Sequence, residues 1–474
     1  MKRVALLLLA VISAALASAE TRPHYGGTLR VAMQAAPNAL ALPDAAEPAD
    51  YWDVARVLSM VSDTLVRVDA EDHPRACLAV AWQHDAATRH WQFTLRHGVK
   101  FHDGSAASAA VVAQVLGALH PNWTVRAAVG AVFPSAASAD AAREIITIDT
   151  DTAVPSMLAE LALPRNLILK RDAVGVPVGT GPFRVTDFQP GKSLKLTAWD
   201  ESWAGRPFID GIEVEFGRSL RDQALGLELG RADLVEAAPD AASGARGQVS
   251  TSLPVELMAL VFTPNSRVQD VRVREALALS IDRHPIQQVL LKGAGEPTAS
   301  ILPNWMTGYS AAFSTSPNVS RAKALLAEAH APALTLSYDP RDPQAQLIAE
   351  RIALNAREAG LAVQVSLSGA EDVRLERIAL ITPDPAPALR EAARELSLGG
   401  PAVSGPTPDE TALRGNSVSV EELYSAERAL LDGGAVIPLF HLPVASAAAA
   451  RVRGWSAERL GLWDFADLWL EDAR

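Results

Sequence analysis

Cysteine is nearly missing from this chain: Cys77 is the single one among 474 residues. One thiol cannot close an intrachain disulfide or build a cysteine metal cluster, so neither device holds the fold. No basic tract occurs, and 43 Lys and Arg face 55 Asp and Glu, a formal charge of −12. Such a chain is a poor partner for nucleic acid or anionic lipid; it is compatible with a soluble carrier and with a cationic or zwitterionic ligand, and net charge alone decides neither. No stretch after the N-terminus is long and apolar enough to span a bilayer. The signatures G-x-S-x-G, H-E-x-x-H and C-x-x-C are missing, as is a Walker loop. The ten His are scattered, and the densest group, His84, His90, His97 and His102, reads as solvated side chains on adjoining turns. No catalytic residue, metal site or cofactor is therefore expected, and a secreted hydrolase is only a remote alternative.

What remains is ordinary globular composition, 49% hydrophobic and 21% charged, at a length that suits two or three domains. Residues 1–19 stand apart. Lys2 and Arg3 precede an apolar run from Val4 to Ala17, and Ala17-Ser18-Ala19 has the small-x-small form of a cleavage site. Fourteen residues rising 1.5 Å each cannot cross a hydrocarbon core of roughly 30 Å. The expectation is a cleaved secretory signal, with Glu20 as the first mature residue and a formal charge moved to −14 by the loss of Lys2 and Arg3. Cys77 lies far from that site and cannot be a lipidated first residue, so a freely diffusing periplasmic protein is expected.

Three stretches carry most of the information. In Trp91 to Val112, Trp91, Phe93 and Leu95 alternate with Gln92, Thr94 and Arg96, the period of a half-buried strand. Turns at Gly98 and at Phe101-His102-Asp103-Gly104 follow, and Ser105 or Ser108 can cap the helix after them. Gly179-Thr180-Gly181-Pro182-Phe183 lacks the Lys-Ser/Thr pair of a phosphate loop, and Pro182 removes a backbone donor. In Phe262 to Arg283, Asp270 can cap a helix with Val273, Leu277 and Ile281 on one face, and Pro285 opens the next helix. Residues 320–381 alternate helix and strand, with strands expected at Leu334–Tyr338, Leu361–Leu367 and Ile378–Ile381, which predicts a parallel or mixed sheet covered by helices.

These stretches resemble the signatures of bacterial extracellular solute-binding proteins of family 5, the dipeptide, oligopeptide and nickel type. The first matches the family's "LR-G-V-F-DG" strand and helix, the second its "GTGP" crossing, the third its "N-----D-RVR-A---AIDR". Weaker matches fall in the same order: Gly26-Gly27-Thr28-Leu29, Pro74 to Trp82, Trp199 to Pro207, Leu225 to Leu234, Leu302 to Tyr309 and Ile437 to His441. The chain departs at Ala110 and Val111, where the family has acids, and its Gly/Pro-rich segment Leu398 to Asp409 looks shortened.

The resemblance implies an α/β fold of the periplasmic-binding-protein type II-like class, two α/β lobes joined by hinge strands with an extra subdomain. Lobe one is expected from residues 20–49, 176–261 and 436–474, the subdomain from 50–175, and lobe two from 262–435. It further implies the periplasmic substrate-binding component of an ABC importer. Such a protein captures a small solute, a peptide or related amine-bearing compound, between the lobes and delivers it to a membrane permease. It would act as a monomer. A nickel, haem or sensory binding protein is the alternative.

Candidate ligand contacts follow. Asp384, in Thr382-Pro383-Asp384-Pro385, keeps the family's Asp-Pro without its Trp-Gly; it matches an ammonium-holding carboxylate and is equally a plain turn residue. Trp305 lies in an expected exposed loop, and Asn38 in the Ala36–Asp50 loop that the family runs along its cleft. Trp123 sits in a Pro-Asn-Trp turn as a ligand contact or a structural side chain. Arg272, Arg274 and Arg283 are expected mainly as ion pairs between the lobes, and Asp233 as a solvated cap.

Overall fold

Alternating buried residues build the strands of one large mixed sheet, seen in a computed structural model. It describes residues 23–41, 51–69, 73–130, 143–237, 248–309, 311–342, 344–367, 371–382, 384–396, 418–457, 460–465 and 467–471. The expected signal, most of the Ala36–Asp50 loop, Pro383 and the shortened segment lie outside the described residues.

The large sheet has eleven strands. Its path runs Phe183–Gln189, Ser193–Ala198, Gly211–Glu215, Thr28–Ala32, Leu234–Ala237, Val436–Ala448, Gln248–Phe262, Val373–Ala379, Leu334–Tyr338, Val363–Val365, and Glu296–Pro297 pairs with Val436–Ala448. The strands Gln248–Phe262 and Val436–Ala448 are long enough to serve both halves. At one end Ala445 to Ala448 pair with Leu234–Ala237, and at the other Glu256 to Phe262 pair with Val373–Ala379. Between those ends Pro254 sits opposite Pro443, with a register shift on each side.

Each half has its own core. In lobe one, Leu29, Val31, Leu194, Leu196, Ile212 and Val214 bury against Val54, Val57, Leu58 and Val61 of helix Tyr51–Val61. In lobe two the strand Gln248–Phe262 is apolar on both faces: Met258, Leu260 and Phe262 face one core, and Leu257, Ala259 and Val261 the other. That is the pattern of a strand covered by helices on both sides. A third core belongs to an antiparallel sheet of Ala79–His84, His90–Leu95, Arg143–Thr150 and Trp123–Gly130 under helix Ala109–Leu119. Trp91, Phe93 and Leu95 all point into it, as their alternation predicts. This third core begins at Leu65, and the helix Tyr51–Val61 spends its apolar face on the core of lobe one. Lobe two likewise takes over within a strand, at the Pro254 rung.

The "GTGP" stretch is a packing device. A Cβ on Gly179 would lie 2.1 Å from the Val61 carbonyl oxygen, and one on Gly181 2.7 Å from the Val61 carbonyl carbon. Only glycine lets this crossing touch the helix end, where the Gly181 N–H donates to Val61 O at 3.0 Å.

Three local expectations change. Asp233 is buried and accepts bidentate hydrogen bonds from both Arg30 and Arg451, all at 2.7–2.9 Å. Its place after helix Leu220–Glu228 hid that it immediately precedes strand Leu234–Ala237, in the middle of the sheet. Arg272 pairs with Asp270 of its own helix start, while Arg274 donates to Val268 O and Arg283 to Pro438 O, all within lobe two and not between lobes. The strand expected at Ile378–Ile381 runs Val373–Ala379. Arg374, Glu376 and Arg377 break its apolar pattern because they face a cleft.

Candidate functional site

Parallel strands leave their carboxyl ends along one line, and loops leaving that line can meet over a crevice. Strand Thr28–Ala32, parallel to Leu234–Ala237, delivers Gln34 and Ala35; Leu234–Ala237 itself delivers Glu236. Helix Tyr51–Val61 adds Trp52, Asp53 and Arg56. Opposite them, strand Leu334–Tyr338, parallel to Val373–Ala379, delivers Ser337 to Asp342. Arg374 to Ala379 and Glu256 complete the wall of a cavity of about 830 Å³ that has residues of both lobes on it.

Charge dominates this wall. The Arg56 guanidinium reaches Asp53 at 3.4 Å and Glu236 at 3.3 Å, packs over the Trp463 ring, and donates from Nε to Gly461 O. Glu236 also accepts from the Gln34 N–H at 2.6 Å and from Gln223 Nε2 at 3.1 Å. Asp53 accepts from the Ala35 N–H at 2.8 Å. Burial pushes the Asp53 carboxyl well above the ordinary carboxylate range; Glu236 beside it adds to the rise, and Arg56 offsets part of it. In lobe two, Arg377 lies between Glu256 at 3.4 Å and Asp342 at 2.7 Å. Burial also raises Glu256, against the pull of Arg377. Arg374 is shared by Glu371 and Glu376. For Asp339, burial alone would raise the pKa, but hydrogen bonds from Arg341 hold it low.

The lobes touch across the cleft. Trp52 Nε1 of lobe one donates to Glu256 Oε1 of lobe two at 3.0 Å, and Gln34 Nε2 donates to the Arg341 carbonyl. A third bridge comes from the subdomain. Arg165 donates to Glu160 at 2.6 Å and to Glu391, on helix Pro385–Glu395 of lobe two, at 2.7 Å. This bridge lines a second cavity of about 670 Å³, which shares Ala379 and Glu395 with the first. Tyr51 borders the second cavity and Trp52 the first, and the two rings meet edge to face.

Of the residues expected from sequence, Trp123 lines the second cavity, stacked on His120 with centroids 3.6 Å apart. Trp305 is half-buried against Tyr51, Trp52 and Val255, and its Nε1 donates to Pro254 O at 2.8 Å, so it braces the crossing strands. Asp384 caps helix Pro385–Glu395, accepting from the Ala386 N–H at 3.4 Å. Asn38 is exposed, beside the turn in which the Gly191 N–H donates to Pro37 O. Asp384, Trp305 and Asn38 are not among the residues lining either cavity. The cleft charges were missed by sequence reasoning. Their one local signal is polarity at buried positions: Asp53 and Arg56 on an otherwise apolar helix, Glu236 at the end of a buried strand.

The sequence model of bacterial extracellular solute-binding proteins, family 5 (Middle), matches residues 73–379. The chain belongs to this family. Among curated family relatives, the nickel-binding protein NikA of Staphylococcus aureus is 27% identical over 48% of this chain and 49% of its own length. The dipeptide-binding protein of Escherichia coli is 24% identical over 53% of this chain and 54% of its own. The matched stretches thus span about half the length of these relatives. Solved structures extend the likeness in fold. Staphylococcus aureus NikA in complex with Ni(L-His)2 aligns over 94% of this chain and 100% of its own, with TM-score 0.76 and 18% identity. A dipeptide-binding protein from Pseudoalteromonas in complex with Met-Leu gives TM-score 0.77 at 18% identity over the same shares. The family's two-lobe fold is therefore the fold of this chain. Among the described residues, no helix is long and apolar enough to cross a membrane.

Proposed function

We propose that this protein is the periplasmic substrate-binding component of an ABC importer, and that it captures a small solute, a peptide or related amine-bearing compound, between its lobes. The observation that carries this reading is the cavity of about 830 Å³ walled by both lobes, which are linked by two crossing strands with an interrupted ladder. A solute there touches both lobes only when they are closed. It favours the closed form by that difference in affinity, and closure marks the loaded state for a permease. Membership in an extracellular solute-binding family supports the secreted location. Trp123 is retained as part of the second compartment of the site. Asp384 and Trp305 act through the helix cap and the crossing strands, and Asn38 flanks the lobe-one loop.

Native mass spectrometry of protein drawn gently from periplasm tests this reading. A stoichiometric small molecule released on denaturation is expected. Protein that carries nothing and takes up nothing from a periplasmic small-molecule extract overturns it.

A further inference from the structure

The charges on the cleft wall do not balance. Among the described residues, eight carboxylates line the first cavity against four guanidiniums. Three of those guanidiniums are each shared between two acids: Arg56 by Asp53 and Glu236, Arg377 by Glu256 and Asp342, Arg374 by Glu371 and Glu376. The cations of the wall are thus already engaged by more acid than they neutralise. The surplus negative charge sits beside a cavity from both lobes at once. The best-shielded of these acids, Asp53, Glu236, Glu256 and Asp342, have only Arg56 and Arg377 between them; burying that excess without a further counter-charge is costly, and two events relieve it: a proton on one acid, or a cation in the cavity.

We propose that the solute binds as a net cation, with its ammonium or guanidinium group between Glu236 of lobe one and Glu256 of lobe two, and that its arrival displaces a proton held by Asp53. This rests on the solute-capture reading above. Asp53 is 3% exposed and faces Arg56 on its own helix, Glu236 at the end of Leu234–Ala237, and the Ala35 N–H after Thr28–Ala32. One guanidinium cannot neutralise both acids, and burial with Glu236 alongside favours the protonated form of Asp53 while the cavity lacks a cation. Across the cleft Glu256 faces Arg377 and Asp342, and accepts from Trp52 Nε1, next to Asp53 in sequence. The Trp52–Asp53 step therefore joins the two acidic clusters. A cation placed there neutralises charge contributed by each lobe and draws the lobes together. It also lowers the proton affinity of Asp53, and the proton leaves to solvent.

Isothermal titration of the full mature chain with Lys-Ala, Ala-Ala, Asp-Ala and agmatine tests the proposal. Lys-Ala and agmatine are expected to bind at least about tenfold more tightly than Ala-Ala, and Asp-Ala most weakly, since about 1.4 kcal/mol of charge preference is a tenfold ratio. Repeating the Lys-Ala titration near pH 5.5 in two buffers of different ionisation enthalpy is expected to show net proton release, with affinity rising as pH rises. Glu236→Gln is expected to erase both the proton release and most of the Lys-Ala over Asp-Ala preference. The wild-type buffer comparison stands even if that variant fails to fold. Equal binding of Asp-Ala and Lys-Ala, or proton uptake, overturns the proposal. If no probe binds, the cation assignment falls, and a neutral or anionic solute released in the native mass spectrum leaves capture standing without it.

Discussion

Pro254 and Pro443 stand opposite each other on the two strands that join the lobes, and the ladder slips register on both sides of them. Neither residue has a backbone N–H, so this rung has no donor from either strand. Substitute contacts hold the place loosely: Trp305 Nε1 donates to Pro254 O at 2.8 Å, and the Val444 N–H donates to Ser252 Oγ at 3.0 Å. This donorless rung lies where the two strands pass from one lobe to the other. Pro443→Val restores one donor, worth about 1 kcal/mol if its bond forms. Slower amide hydrogen exchange in residues 251–256 and a smaller solute-induced change in radius of gyration are expected. Unchanged exchange there would remove this rung from the hinge.

Arg165 is the ion-pair bridge from the subdomain to lobe two, through Glu160 and Glu391. All three side chains are largely shielded, so their pairing is screened less than a surface pair. Arg165→Ala leaves two acids facing each other across the closed gap. The open form should gain population, visible as a larger radius of gyration by solution scattering. Solute affinity should fall by about 5–150-fold, the usual span of a coupling of about 1–3 kcal/mol. Identical scattering curves for the two proteins would count against a closing role.

His441 lies on the crossing strand Val436–Ala448, buried, with its Nε2 3.0 Å from Ile301 O. Burial pushes the imidazole down from 6.5 to about 4. The folded state thus keeps it neutral where the unfolded chain would protonate. The stability this contributes is complete above pH 6.5 and is lost as pH falls from there to about 4. The total is about 3 kcal/mol at 1.36 kcal/mol per pKa unit. Urea unfolding at pH 7.5, 6, 5 and 4 should show the wild type losing more stability than His441→Asn across that window. Parallel curves would mean that the ring titrates normally.

Gly179 and Gly98 make a controlled pair. An added Cβ at Gly179 meets the Val61 carbonyl oxygen at 2.1 Å, whereas at Gly98, with φ +78°, it meets nothing within 4 Å. Gly98→Ala should therefore cost only the left-handed backbone penalty, about 1–2 kcal/mol. Gly179→Ala must push a strand off the end of helix Tyr51–Val61, and a loss above about 3 kcal/mol, or failure to fold, is expected. Denaturant midpoints for the two variants decide it.

Local pattern was enough to announce the family, because its signatures are turn and packing devices encoded within a few residues. Gly179 and Gly181 must be glycine wherever a crossing strand rides on a helix end. Trp91, Phe93 and Leu95 declare a strand by alternation alone. Asp270 and the residues after it declare a helix start. These features are short-range, so sequence by itself determined the fold class and the family of the protein. The cleft was decided elsewhere. Asp53, Glu236 and Glu256 are far apart in the chain and unremarkable where they stand. They become one site because parallel strands in two lobes end on facing edges. The same holds for Asp384, whose Asp-Pro step reads as a ligand carboxylate and is spent on a helix cap, and for Arg274 and Arg283, whose partners are backbone carbonyls. Sequence names the residues that can bear charge; which of them share a cavity is fixed by how the strands cross, and only the tertiary structure holds that information.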